Sequence, residues 1–255
     1  MPFTKINSSK LSAAVIQQIE LLILRGILRP GDRLPAERSL ADKLGVSRPS
    51  LRDAIAELSD KGLLISKANS GVFVANELGA AFSGALTALF ARHDEAVLDT
   101  IDFRIDLEGL AAERAARLAS DSDLKNIAAC FSKMQAAHGT NNPEAEANQD
   151  TEFHISIIEA SHNIIMLHMM RSMFQLLRQG VFYNRQALFR QNTTRRALLD
   201  QHRAINDAIQ ARDPPGARKA AQSHLGFVRQ ALEDWRASER NEAIAKLRLE
   251  NAARN

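Results

Sequence analysis

Apolar residues along this chain recur at three- and four-residue steps, the period of amphipathic helices, far more often than they alternate. From Leu11 to Leu28, the positions Val15, Ile19, Leu22, Ile23 and Ile27 define one helical face, and Arg29-Pro30-Gly31-Asp32 stops it. A second pattern, Ala36 to Leu44, ends at Gly45. A third runs from about Arg48 to Lys61, with Leu51, Ile55 and Leu58 on one side and Gly62 as its C-terminal cap. Two short apolar runs follow, Leu63 to Ile65 and Val72 to Val74, and the polar stretch Ser66 to Gly71 between them predicts a small β-hairpin. Residues 76–94 are small and weakly patterned, as in a linker that is helical at most in part. Beyond them every strong pattern is helical, over about 95–118, 121–138, 143–161, 163–190, 194–212 and 214–240. Their separators, such as Ser120-Asp121 and Asp213-Pro214-Pro215-Gly216, are turns suited to antiparallel neighbours.

The expected fold is therefore mainly α. A winged helix-turn-helix unit of three helices and a hairpin occupies residues 1–76, a linker 77–94, an all-α antiparallel bundle 95–240, and a charged, Ala-rich tail 241–255 that extends the last helix or frays. With 255 residues, 45% of them apolar, the chain can bury two cores of ordinary size, and 25% charge with 5% aromatics argues against disorder and against an aromatic-rich β architecture. Cys130 is the one cysteine, so no intrachain disulfide forms, which suits a reducing cytoplasm. The most apolar stretch, Ile19 to Leu28, is broken by Glu20 and Arg25 and is far short of a membrane span, so no membrane partner is expected. The net charge of +3 is unevenly placed. Residues 1–78 carry 11 Lys and Arg against 8 Asp and Glu, whereas 79–255 carry 22 of each, so the excess sits where a polyanion would be met.

Within that basic third, two short helices meet at a tight turn around Gly45, the punctuation of a helix-turn-helix. Ser47 caps the second helix and Pro49 lies in its first turn, where a missing N–H is tolerated. With Leu51, Ile55 and Leu58 turned inward, Arg48, Ser50 and Arg52 are left near the outward N-terminal end, the end that enters a major groove. Arginine forks grip phosphate or the edge of guanine, and hydroxyls bond phosphates or bases. The alternative for Arg38, Arg48 and Arg52 is that they are solvated helix charges.

The stretch from Gly26 to Asn76, with Pro30-Gly-Asp-Arg-Leu-Pro-Ala-Glu-Arg-Ser-Leu-Ala, Gly45-Val-Ser-Arg, Leu51-Arg-Asp-Ala, Gly62-Leu-Leu and Ser70-Gly-Val-Phe-Val, resembles the winged-helix DNA-binding domain of the GntR family of bacterial regulators. The resemblance implies contacts to double-stranded DNA from Arg38, Ser47, Arg48, Ser50 and Arg52, with the wing tip at Asn69 to Gly71 reaching the minor groove.

In the helical part, Asp150 and His154 are four residues apart and so share a helix face, while His202 and His224 lie on later helices. Three imidazoles and one carboxylate suit a divalent metal, zinc first, with nickel, manganese or iron as alternatives. For any single histidine, a surface or hydrogen-bonded core role is the competing reading. Residues 95–235 are similar to the FadR-type effector domain called FCD, through Phe103-Arg-Ile-Asp-Leu-Glu, Asp150-Thr-Glu-Phe-His154, Glu159-Ala-Ser-His-Asn163, Gln201-His202-Arg-Ala-Ile and Ser223-His224-Leu. That resemblance implies that Asp150, His154, His202 and His224 are the metal ligands. One divalent cation, one Asp and Arg104 leave the site at about +2, so a small carboxylate belongs there, with Arg104 pairing one of its oxygens. The competing role for Arg104 is an ion pair with Glu108, four residues on. The wording around Ile158 to Arg171 and Asp213 to Val228 is similar to regulators answering to lactate, glycolate or pyruvate, which points to a 2-hydroxy or 2-oxo acid.

The resulting expectation is a ligand-responsive regulator, a repressor, acting as a homodimer on a palindromic operator. Two rivals are a metal-dependent hydrolase or other enzyme, and an architectural DNA binder. No G-x-S-x-G, P-loop, G-x-G-x-x-G or H-E-x-x-H pattern supports the first. The balanced charge of 79–255 is a poor fit to the second.

Overall fold

The computed structural model describes residues 8–68, 70–76, 84–90, 92–140, 142–178 and 192–252. Its contacts divide into two compact units between residues 81 and 82.

The N-terminal unit contains α1 (Ser8–Leu24), α2 (Glu37–Leu44), α3 (Arg48–Asp60) and the antiparallel pair β1 (Leu64–Lys67) and β2 (Gly71–Val74). The periodic faces expected from the sequence close on one core: Val15, Ile19 and Ile23 of α1 meet Leu51, Ala54, Ile55 and Leu58 of α3, with Leu34, Leu64 and Val74 sealing the edge. Leu51 and Leu58 are completely buried, and each removal from water stabilises the unit by roughly 1.5–3 kcal/mol. One expected boundary moves. The first helix stops at Leu24 rather than Leu28, because Gly26 adopts a left-handed φ of 72° and the N–H groups of Ile27 and Leu28 both turn back to the Leu22 carbonyl. Ile27, expected on the core face, is consequently exposed.

The C-terminal unit is all helical among the described residues: α4 (Gly84–Phe90), α5 (Asp94–Leu118), α6 (Asp121–Gly139), α7 (Pro143–Ala160), α8 (Ile164–Arg178), α9 (Asn192–Gln210) and α10 (Pro214–Ala252). Local sequence sets the starts. Ser120 and Asp123 form a reciprocal capping box on α6, Asn142 accepts from the N–H groups of Glu144 and Ala145, and Asp213 accepts from Gly216 N–H at 3.1 Å. A side chain at Gly216 would collide with that capping carboxylate. α5 packs on α10 through Ala111, Ala112, Ala115, Ala217 and Ala221, and a Cβ on Gly109 would lie 2.8 Å from Gln222 Cγ, so the two helices approach closely. Of the helix expected over 163–190, residues 164–178 are helical and 179–190 lie outside the described residues. α10 runs through the expected tail to Ala252, since nothing after Gly226 breaks a run rich in Ala, Glu, Lys and Arg. Among the described residues, no helix is long and apolar enough to cross a membrane.

Candidate nucleic-acid face and metal centre

In the N-terminal unit, the turn between α2 and α3 is built by Gly45, whose φ of 64° lets its N–H and that of Val46 return to the carbonyls of Asp42 and Ala41. Ser47 then caps α3 by accepting from Ser50 N–H at 3.3 Å. Arg38, Arg48 and Arg52 are exposed, as a face for a polyanion requires. Glu37 gathers two of them, with its Oε2 2.8 Å from Arg52 Nε and 3.9 Å from Arg48 Nη2. Ser50, expected at the outward end, is buried instead. Its hydroxyl lies 2.9 Å from the Ser47 hydroxyl and so is turned back onto the cap.

On the hairpin, Gly71 has a φ of 104°, which favours glycine, and a Cβ there would come 3.1 Å from Arg33 Nε, so the guanidinium lies close over the turn. Asn69 lies outside the described residues. Two cations beside the wing escaped the sequence reading: Arg33, whose guanidinium lies against Gly71, and Lys67, whose ammonium sits 4.8 Å over the Phe73 ring. Their nearness to the Ser66–Gly71 turn was the available signal.

In the C-terminal unit, Asp150 and His154 of α7, His202 of α9 and His224 of α10 are all buried, and one potential ligand atom from each lies within 4.8 Å of the others. His154 Nε2 is 3.2 Å from His202 Nε2, and Asp150 Oδ1 is 3.1 Å from His202 Nε2 and 3.8 Å from His154 Nε2. Around a tetrahedral zinc with bonds of 2.0–2.1 Å, neighbouring donor atoms stand about 3.3 Å apart. The donor set and its spacing fit a divalent metal.

Two further residues contact these imidazoles. Glu108 of α5 places Oε2 2.6 Å from His154 Nδ1, and Gln201 places Oε1 3.1 Å from His224 Nδ1. Arg104 Nε lies 2.6 Å from the other Glu108 oxygen, and its guanidinium packs 5.0 Å from the Phe174 ring centre. The i,i+4 ion pair weighed for Arg104 is thus present. Burial alone would push the Glu108 carboxyl up, but the Arg104 charge, then that of His154 and their hydrogen bonds, bring it down to about 2. The expected site charge changes accordingly: Glu108 cancels Arg104, leaving about +1 with a divalent ion rather than about +2. The role of Glu108 beside His154 was illegible in sequence because 46 positions separate them.

One turn from Asp150, a second buried ion pair joins Arg195 of α9 to Glu146 of α7, with Arg195 also donating to the His138 carbonyl at 2.8 Å. The sequence reading passed over it, though Glu146, Asp150 and His154 recur at four-residue steps.

Residues 11–74 match the model of bacterial regulatory proteins of the gntR family, and residues 99–227 match the FCD domain. The chain belongs to the GntR family. It is 37% identical, over 86% of its length and 85% of the relative's, to a protein of Escherichia coli (strain K12) named for regulation of the L-lactate dehydrogenase operon. It is 33% identical to the Glc operon transcriptional activator of the same strain, over 86% and 88% of the two chains. The solved structure of Streptococcus agalactiae GntR, 24% identical, shares the fold with a TM-score of 0.56, covering 86% of this chain and 99% of that one. The two families and these relatives are transcription regulators rather than enzymes, so this GntR protein regulates transcription and binds DNA.

Proposed function

We propose that this GntR regulator is a cytoplasmic homodimer that represses transcription from a palindromic operator until a small 2-hydroxy or 2-oxo carboxylate, such as lactate, glycolate or pyruvate, binds in its FCD domain. The observation that carries the reading is the pairing of an exposed arginine face on the helix-turn-helix with a buried Asp-His-His-His cluster in the other unit. On the DNA side, Arg38, Arg48 and Arg52 take phosphates or guanine edges, Ser47 bonds the backbone, and Ser50 acts by fixing the Ser47 hydroxyl. Asn69 and Gly71 bring the wing to the minor groove. One recognition helix reads few base pairs, and a twofold dimer doubles the site and fixes its spacing.

On the sensing side, Asp150, His154, His202 and His224 would hold a divalent ion, zinc first, which supplies a positive centre for a carboxylate oxygen. Arg104 would pair a second oxygen of the same ligand through its guanidinium. A site of about +1 suits a monocarboxylate better than a tricarboxylate. The relative named for an L-lactate dehydrogenase operon supports a 2-hydroxy acid. Release follows from linkage alone: the acid must bind more tightly to a conformation that holds the operator less well, with residues 77–94 carrying the change between units.

The test titrates the zinc-loaded protein with L-lactate, glycolate, pyruvate and citrate by calorimetry, and follows labelled operator DNA by fluorescence anisotropy. Saturable binding of one monocarboxylate together with operator release is expected. Binding of citrate alone, or acid binding without release, overturns the effector reading. Equal affinity for scrambled DNA favours the architectural binder. A reporter gene driven from the operator separates repression from activation, the word in the name of the Glc relative.

A further inference from the structure

We infer that Glu108 is the positioning residue of the candidate metal centre: it fixes which nitrogen of His154 faces the other ligands and ties Arg104 to that imidazole. The inference rests on the metal-binding reading above and deepens it. A neutral imidazole presents a lone pair on one nitrogen only when its proton sits on the other, and the partner of that second nitrogen decides which. At His154 the partner is a carboxylate oxygen 2.6 Å from Nδ1, on a side chain that is itself buried. A proton at Nδ1 would meet that otherwise unpartnered oxygen, which favours the tautomer whose Nε2 lone pair faces Asp150 and His202, 3.8 and 3.2 Å away.

The neighbouring imidazoles sharpen the assignment. His224 Nδ1 faces the neutral amide oxygen of Gln201 at 3.1 Å, whereas His154 Nδ1 faces a carboxylate, which makes His154 the stronger donor of the two. Glu108 arrives from α5, which carries none of the four ligands, and its second oxygen is held by Arg104 Nε at 2.6 Å. The buried line Arg104, Glu108, His154 thus links the guanidinium proposed to meet the effector with a ligand on α7. Occupancy of one end and metal affinity at the other are coupled through a single carboxylate.

Cobalt(II) serves as the probe, with the full-length protein, a competing chromophoric chelator for affinity and visible absorption for the ligand field. Glu108→Gln is expected to weaken cobalt binding about 10–100-fold and to shift the absorption bands. Glu146→Gln is the matched control, because it breaks a second buried Arg–Glu ion pair, this one between α7 and α9, without touching a ligand imidazole, and it should change cobalt affinity by no more than about twofold. If Glu108→Gln unfolds because Arg104 is left buried and uncompensated, the double variant Arg104→Gln with Glu108→Gln removes both charges and should still bind cobalt 10–100-fold less tightly. Cobalt affinities and spectra in the folded Glu108 variants equal to those of Glu146→Gln would overturn the positioning role. Failure of the unaltered protein to bind cobalt through imidazole would instead overturn the metal centre itself.

Discussion

The two units of this GntR regulator handle charge in opposite ways. In the N-terminal unit Arg48 and Arg52 keep 58% and 62% of their side chains exposed and share one half-exposed carboxylate, Glu37. In the C-terminal unit Arg104 and Glu108 are 1% and 5% exposed and sit against the buried imidazole of His154. Exposed ion pairs are weak and exchange readily for phosphate, which suits a surface that must bind and release a polyanion. Buried ones are costly to break and hold their geometry, which suits a cluster that could hold a small ion. The difference teaches that the same residue types are arranged for exchange in one unit and for permanence in the other.

The sharpest way to break that contrast is to remove Asp150 and His224 together. Replacing both by Ala should lower zinc affinity on the order of a thousandfold, measured by chelator competition, while operator binding without effector is retained. Parallel loss of both properties would mean that the units do not work separately. Next in size is the response to acid. Because Glu108 is held at about 2 against an ordinary 4.5, its stabilisation is fully present above about pH 4.5 and disappears as the pH falls through 2. That is worth about 3 kcal/mol, read from urea unfolding of the metal-free protein between pH 5 and 2. Arg48→Ala should then weaken operator binding by about 1–3 kcal/mol in anisotropy titrations and leave zinc content unchanged. The smallest effect belongs to Glu37→Gln, which removes an exposed partner of two arginines and should move unfolding stability by less than about 1 kcal/mol.

Legibility in the sequence followed the range of the interactions. The α2–α3 turn could be read because Gly45 and Ser47 act on their immediate neighbours, and Asp150 with His154 could be read because four residues is one helical turn. Ser50 misled because its polar side chain conceals a place on the core stripe, four residues before buried Ala54 and eight before Leu58, and Ile27 misled because a left-handed Gly26 interrupts an otherwise continuous pattern. The convergence of His202 and His224, the carboxylate behind His154 and the Glu146–Arg195 pair all depend on which helices become neighbours. Helical spacing leaves that open.

One consequence of the alanine seam between α5 and α10 concerns mechanical behaviour. Small side chains and Gly109 leave little soft material for α5 to slide over, so a shift of α5 along α10 would be resisted by close backbone contact rather than absorbed by rearranged rotamers. Ten residues before Arg104, the helix begins at Asp94, about 15 Å along its axis. α4 (Gly84–Phe90) still lies between that helix start and the division of the chain at residues 81 and 82, so a displacement of α5 meets the rest of its own unit first.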